Sequence, residues 1–211
     1  MNSIIYPPNI YPILPKEINW AVTAEILAFL VCVGIAFLCA FLLERYTAKR
    51  FGQGNRIINL LLPTAAAAVL ILVSGYTMIS LKGFILFLLL LYASVSDLAT
   101  REVEDYIPLM IILTALIGIG ISDIPVMLIA TVVITIPQLA VAILKPGTYG
   151  GADIKLMSAC TFLLGLTKGM FALVTGLTLA VAVTIIVRKN VKEPFALIPY
   201  LSVGCFLAYL L

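Results

Sequence analysis

The stretch GFILFLLLLYASVSDL, residues 83–98, carries no charged side chain until it reaches Asp97 near its end. Apolar runs of this kind recur along the chain, which has 211 residues, of which 63% are hydrophobic and 11% are charged, and a mean hydropathy of +1.19. Soluble domains carry about 25% charged residues. Because backbone polar groups in lipid must be satisfied within the spanning segment, the sequence predicts an all-α, polytopic membrane helical bundle.

About eight transmembrane segments are expected. They lie near residues 21–43, 57–80, 83–98, 106–122, 124–144, 153–167, 169–187 and 194–211. The third and the sixth are short for a bilayer that needs about 20 helical residues, and these two carry Asp97 and Asp153. We expect residues 1–82 to hold an N-terminal tail with two segments, and residues 83–211 to form a six-segment core that carries both aspartates.

Basic residues are distributed unequally between alternate loops. One set of loops holds ten of them, Arg45, Lys49, Arg50, Arg56, Arg101, Lys145, Lys155, Arg188, Lys189 and Lys192, and the other set holds Lys16, Lys82 and Lys168. Because cytoplasmic loops are enriched in lysine and arginine, we expect both termini outside and the ten-residue set in the cytoplasm. Asp97 and Asp153 then both face the cytoplasm. The net charge of +3 is too small and too dispersed to indicate nucleic acid.

Few side chains in this sequence could bind a metal ion or form a catalytic triad. The chain has no histidine, which excludes a Ser-His-Asp triad. Its four cysteines all fall in apolar segments and form no CxxC pair; they are Cys32, Cys39, Cys160 and Cys205. Neither a metal nor a cofactor is expected.

Two carboxylates within a few ångströms of each other cannot both ionise easily, so one keeps a proton while the other acts as a base. Asp153 follows Gly150 and Gly151 at a predicted helix start, where the helix dipole favours a charged carboxylate, and Lys155 adds positive charge. Asp97 closes a helix, where the dipole disfavours negative charge. The sequence therefore predicts an ionised Asp153 and a protonated Asp97, joined in acid–base catalysis.

The other acidic residues are expected to lie outside this pair. Glu102, Glu104 and Asp105 follow Asp97 and are expected to be solvated loop charges, although Asp105 is also a candidate for recognising a basic substrate. Asp123 falls on the predicted outer side and cannot join the pair.

Three stretches carry a resemblance to a known family: DLATREV at 97–103, GGADIKL at 150–156 and PFALIPYL at 194–201. They resemble the two aspartate motifs and the proline-rich last helix of the type IV prepilin peptidase family and its archaeal preflagellin peptidase relatives, which are membrane aspartyl peptidases with a GxGD-type motif. The resemblance implies that Asp97 and Asp153 are catalytic. It further implies that the motif residues position the substrate; these are Thr100, Arg101, Gly150, Gly151, Ala152 and Lys155.

The same resemblance implies cleavage of the short basic leader of prepilin-like or prearchaellin-like precursors at the cytoplasmic face of the membrane. Ala152 departs from it, since the strict motif has glycine there. Glu104-Asp105 replaces the Pro-Asn of many bacterial members and favours archaeal-type substrates. Residues 1–82 lack the paired CxxC motifs of bacterial members that also methylate their product, so methyltransferase activity is not expected.

Three other interpretations remain open at this point. A presenilin-like protease would cut within a transmembrane helix, but the placement of both aspartates near one surface argues against it. A small proton-coupled transporter would use the two carboxylates as a relay, although carboxylates on one side do not form a path. A non-catalytic assembly component would have no need of both aspartates.

Overall fold

The computed structural model describes residues 20–52, 55–145, 150–187 and 196–211. The predicted N-terminal tail lies outside these ranges. So do Lys16, Arg188, Lys189, Lys192 and the Pro194-Phe195 opening of the third resembling stretch.

Eight α-helices account for most of the described residues, which contain no strand. They are α1 (Trp20–Phe51), α2 (Arg56–Ser74), α3 (Met78–Thr100), α4 (Tyr106–Leu116), α5 (Ile124–Leu144), α6 (Gly151–Leu164), α7 (Leu166–Val187) and α8 (Ile198–Leu210), and a 3₁₀ turn, Ile121–Asp123, precedes α5. This confirms the predicted all-α membrane bundle.

Within the described ranges, five helices are long and apolar enough to cross a membrane: α1, α2, α3, α7, and α5 with its 3₁₀ turn. The prediction of a short third segment is wrong, because α3 has 23 residues and begins before Lys82. The Lys82 ammonium donates to the carbonyl of Ala115 at 3.3 Å, so this charge lies within the helix and does not end it. By contrast α6 is short, with 14 residues, and α4 and α8 have 11 and 13.

Successive helices run in opposite directions through the bundle. The carboxyl ends of the odd-numbered helices and the amino ends of the even-numbered helices therefore lie at the same end. Hydrogen bonds and ion pairs confirm this at several points, since Arg50 of α1 meets Glu104, and Lys155 of α6 meets Asp105. We call this the basic end, because Arg45, Lys49, Arg50, Arg56, Arg101, Lys145 and Lys155 all lie there. Asp97 and Asp153 lie at the same end.

The short helix α8 lies at the centre of the core. Its buried residues Ile198, Leu201 and Cys205 join buried side chains of α3, α4 and α6 in one apolar cluster. Against α7 it packs through glycines: a Cβ added at Gly204 would collide with the backbone of α7, and one added at Gly176 would meet Leu201 Cα at 2.9 Å. Small residues at such contacts let membrane helices approach closely, and this fixes the amino end of α8.

Candidate active site

Asp97 lies in the last turn of α3 and its side chain is buried, with 7% of the residue exposed. Its carboxylate oxygen Oδ2 accepts a hydrogen bond from the backbone N–H of Ile198 at 3.2 Å. Ile198 is the first residue of α8, so the carboxylate occupies the amino end of that helix, where backbone N–H groups have no partner within the helix. This hydrogen bond therefore joins the PFALIPYL stretch, which contains Ile198, to the DLATREV stretch, which contains Asp97.

The five residues after α3, 101–105, form a fixed turn that we call the Asp97 loop. Arg101 adopts a left-handed conformation, with φ at 61°, and its N–H bonds to the carbonyl of Asp97 at 3.1 Å. The Ser96 and Thr100 hydroxyls donate to the carbonyl of Glu102 at 2.8 and 3.2 Å. Thr100 and Arg101 thus shape the exit from α3, and the Arg101 guanidinium interacts electrostatically with Asp97.

Asp153 lies in the first turn of α6 and is partly buried. Its Oδ2 accepts a hydrogen bond from the N–H of Gly150 at 3.2 Å, as a carboxylate at the third helical position commonly does. Asp123 makes the same 3.2 Å bond to Gly120 at the opposite end of α5. The hydrogen bond to the preceding glycine therefore does not by itself mark Asp153 as a functional residue. That distinction rests on the burial of Asp153 and on the charged groups near it.

The two aspartates interact with each other. Burial raises the pKa of Asp153 from 3.8 to about 6, the Gly150 N–H opposes this shift, and the nearby Asp97 carboxylate raises the pKa further. Asp97 and Asp153 lie within electrostatic range of each other, although α3 and α6 are linked mainly through α4 and α8, which pack against both. A partly desolvated carboxylate beside a second one is an arrangement suited to acid–base chemistry.

Lys155, in the motif that contains Asp153, forms an ion pair with the loop that follows Asp97. Its ammonium group lies 2.7 Å from Oδ1 of Asp105, across the gap between α6 and the Asp97 loop. Both side chains are largely exposed, so the pair contributes little to stability, but it is a direct contact between α6 and the loop.

The environment of Glu104 differs from the one expected from the sequence. It is a half-buried residue in an ion pair with Arg50, 2.8 Å away, and not a solvated loop charge. Asp105 is exposed as expected, but it is paired with Lys155. No sequence pattern connected Glu104 with Arg50, because the two lie on separate segments and only the packing of α1 against α3 brings them together.

The glycines of the second motif differ in their surroundings. A Cβ at Gly150 would lie 2.9 Å from Oδ2 of Asp153, whereas a Cβ at Gly151 would meet no atom within 4 Å. Gly151 is exposed, so the space beside it is open for another molecule. Ala152 is partly buried and packs against the central core cluster. Within the described ranges, no group of three histidine, cysteine, aspartate or glutamate side chains is placed to hold a metal ion.

The fold and the site define a polytopic helical membrane protein with two interacting carboxylates at one end of the bundle. Residues 84–187, about half of the chain, match the model of the type IV leader peptidase family, and the chain belongs to that family. The protein is therefore a peptidase of the leader peptidase kind, and the matched region contains both aspartates. Comparisons with curated proteins and with solved structures gave no match.

Proposed function

We propose that this protein is a membrane aspartyl endopeptidase that removes the short basic leader of type IV prepilin-like or prearchaellin-like precursors, with Asp97 and Asp153 as its catalytic pair. One observation carries the proposal: the two carboxylates, both within the family-matched region, lie close enough to interact electrostatically, and one of them has a pKa raised to about 6. In this proposal residues 83–211 form the catalytic region and residues 1–82 support it.

The proposed mechanism divides the work between the two carboxylates. Asp97 is the ionised partner, because its negative charge contributes to the raised pKa of Asp153, and it takes a proton from a water molecule. That water attacks the scissile carbonyl, whose oxygen receives a proton from Asp153, the carboxyl group with a pKa of about 6. This is the reverse of the assignment expected from the sequence. The tetrahedral intermediate then expels the new amino terminus, which leaves with a proton returned by the pair. Each carboxyl group thereby exchanges its role during one turnover.

The proposed substrate class rests on the family, and the proposed side of the membrane rests on the distribution of charge. The basic end carries Arg45, Lys49, Arg50, Arg56 and further cations, and such enrichment is typical of cytoplasmic loops. A substrate would lie in the bilayer through its hydrophobic helix and present the preceding leader at this end. The exposed face of Gly151 would admit an extended backbone beside Asp153.

The experiment is cleavage of a panel of leader-bearing prepilin-like and prearchaellin-like precursors by the purified full-length protein in detergent, with products identified by mass spectrometry. Wild type is compared with Asp97→Asn and Asp153→Asn. Asp123→Asn is the matched control, because Asp123 makes the same bond to Gly120 that Asp153 makes to Gly150. Cleavage by wild type and the control, and by neither active-site variant, supports the proposal.

Other outcomes would overturn parts of it. Cleavage that survives Asp97→Asn or Asp153→Asn rejects the catalytic pair. Products cut within the hydrophobic helix indicate a presenilin-like protease. A folded wild-type protein that cuts no precursor, but shows proton-dependent uptake in proteoliposomes, indicates a transporter. Methylation of the product in the presence of S-adenosylmethionine contradicts a peptidase-only activity.

A further inference from the structure

Arg50 lies at the carboxyl end of α1, outside the region that matches the family. Its guanidinium nevertheless reaches the Asp97 loop, where one nitrogen lies 2.8 Å from Oε1 of Glu104. The other nitrogen, Nη1, donates to the hydroxyls of Tyr46 at 3.0 Å and Tyr92 at 3.2 Å. The planar fork of arginine suits several acceptors at once, and lysine cannot reproduce it.

Tyrosine side chains pack around the ion pair between Arg50 and Glu104. The Tyr92 hydroxyl donates to the same Glu104 oxygen at 3.0 Å and accepts a bond from the Tyr106 hydroxyl at 3.0 Å. Tyr46 and Tyr106 also pack against the Tyr92 ring, with centroids 6.0 and 6.4 Å away. We call these five residues, Arg50, Tyr46, Tyr92, Glu104 and Tyr106, the Arg50 clasp. It joins α1, α3, α4 and the Asp97 loop.

The clasp is continuous with the catalytic pair. Glu104 binds Arg50 on one side of the loop, and its neighbour Asp105 binds Lys155 of α6 on the other. The loop begins where the Arg101 N–H bonds to the Asp97 carbonyl, and Lys155 lies two residues after Asp153. The chain of contacts therefore runs from α1 through the Asp97 loop to the helix that carries the second aspartate.

We propose that Arg50 is a positioning residue, which holds the Asp97 loop through Glu104 and thereby sets how Asp97 and Asp153 face each other. This proposal rests on the proposed function, and it gives α1 a role in positioning the catalytic pair. The Arg50 and Glu104 side chains remain 43% and 22% exposed, and such pairs contribute little to folding stability. The loss of Arg50 is therefore expected to leave folding intact and to release the loop, which misplaces the reacting groups; the modest free energy of the contacts limits the loss of rate to about tenfold at most.

The test compares Arg50→Gln, Arg50→Lys and Glu104→Gln in the full-length protein with Lys49→Gln, the neighbouring exposed cation on the same helix end. We expect kcat to fall severalfold, by about tenfold at most, in the first three, while KM and the melting temperature stay near those of wild type and Lys49→Gln stays active. The double variant Arg50→Gln/Glu104→Gln loses no more than either single change, because both remove the same contact. The charge swap Arg50→Glu/Glu104→Arg recovers part of kcat.

Hydrogen–deuterium exchange of the peptide spanning residues 98–106 gives a second readout that needs no substrate. Arg50→Gln is expected to speed exchange there and not in α7. Unchanged exchange, faster exchange with unchanged kcat, or an equal loss of kcat in Lys49→Gln each overturns the positioning role. If wild type cuts no precursor, the proposed function fails, and the exchange rates alone decide whether Arg50 holds the loop.

Discussion

The backbone N–H of Ile198 donates a hydrogen bond to Oδ2 of Asp97 at 3.2 Å, so a carboxylate near the end of α3 caps the start of α8. This one contact joins two stretches that lie far apart in sequence. It gives Asp97 a structural task in addition to the proposed catalytic one, and the two tasks respond differently to substitution.

Asp97→Asn is expected to abolish cleavage while leaving stability close to that of wild type, because the amide oxygen can still accept the Ile198 bond. Asp97→Ala is expected to be inactive and also to lose about 1 kcal/mol of stability, the usual loss for a removed amino-terminal cap. Thermal unfolding in detergent measures the difference. Equal melting temperatures for the two variants would contradict the capping role.

Asp153→Asn is expected to stabilise the protein at neutral pH while removing activity. The pKa of Asp153 is about 6 in the folded protein and 3.8 is its ordinary value, so the folded state binds the proton more tightly. This contribution to stability is present at low pH and is lost as pH rises towards 6. Since each pKa unit corresponds to about 1.36 kcal/mol, the gain at pH 7 is up to about 3 kcal/mol.

The measurement is thermal unfolding of wild type and Asp153→Asn at several pH values between 4 and 8. The difference should be larger at pH 7 than at pH 4.5. Asp123→Asn serves as the control, because its exposed carboxylate makes the same local bond without the burial. A difference that does not change with pH would contradict the raised pKa of Asp153.

Gly151→Ala is expected to reduce cleavage without affecting the fold. A Cβ at Gly151 meets no atom of the protein within 4 Å, so a loss of activity reports a clash with the bound substrate. Gly150→Ala is expected to be inactive for a different reason, since its Cβ would lie 2.9 Å from Oδ2 of Asp153 and would displace that carboxylate. Steady-state kinetics separate the two, because the Gly151 change raises KM and the Gly150 change lowers kcat.

Composition was enough to predict the helical membrane bundle, because long apolar runs in lipid have few alternatives. Local sequence also predicted the place of Asp153 in the first turn of α6, where Gly150 and Gly151 precede it. The predicted length of α3 is wrong, because a lysine in an apolar run indicates a segment boundary, whereas the Lys82 ammonium reaches a carbonyl of α4 from within the helix.

What the sequence did not show depends on contacts between distant segments. The environment of Glu104 is set by Arg50 and by Tyr92, and no periodicity or motif relates these residues. The bond from Ile198 to Asp97 was missed for the same reason, although the resemblance had marked the stretch that contains Ile198. Such pairings follow from how helices pack, which a single sequence does not record.

The packing of α7 against α8 supports the last prediction. A Cβ at Gly204 would collide with the carbonyl of Ala172 and lie 2.8 Å from the Gly176 nitrogen, and these backbone atoms cannot move aside without separating the helices. Gly204→Ala is therefore expected to lose about 1–3 kcal/mol of stability, the usual cost of overpacking. Gly34→Ala is the control, because a Cβ there meets no atom within 4 Å.

Activity should fall together with stability in Gly204→Ala, because a shift of α8 moves the Ile198 N–H that binds Asp97. This pattern is the opposite of the one expected for Asp153→Asn, where stability rises while activity is lost. Thermal unfolding and cleavage rates, measured on the same preparations, distinguish a change in the scaffold from a change in the catalytic pair. A Gly204→Ala protein with normal stability but no activity would show that α8 contributes to catalysis beyond its packing.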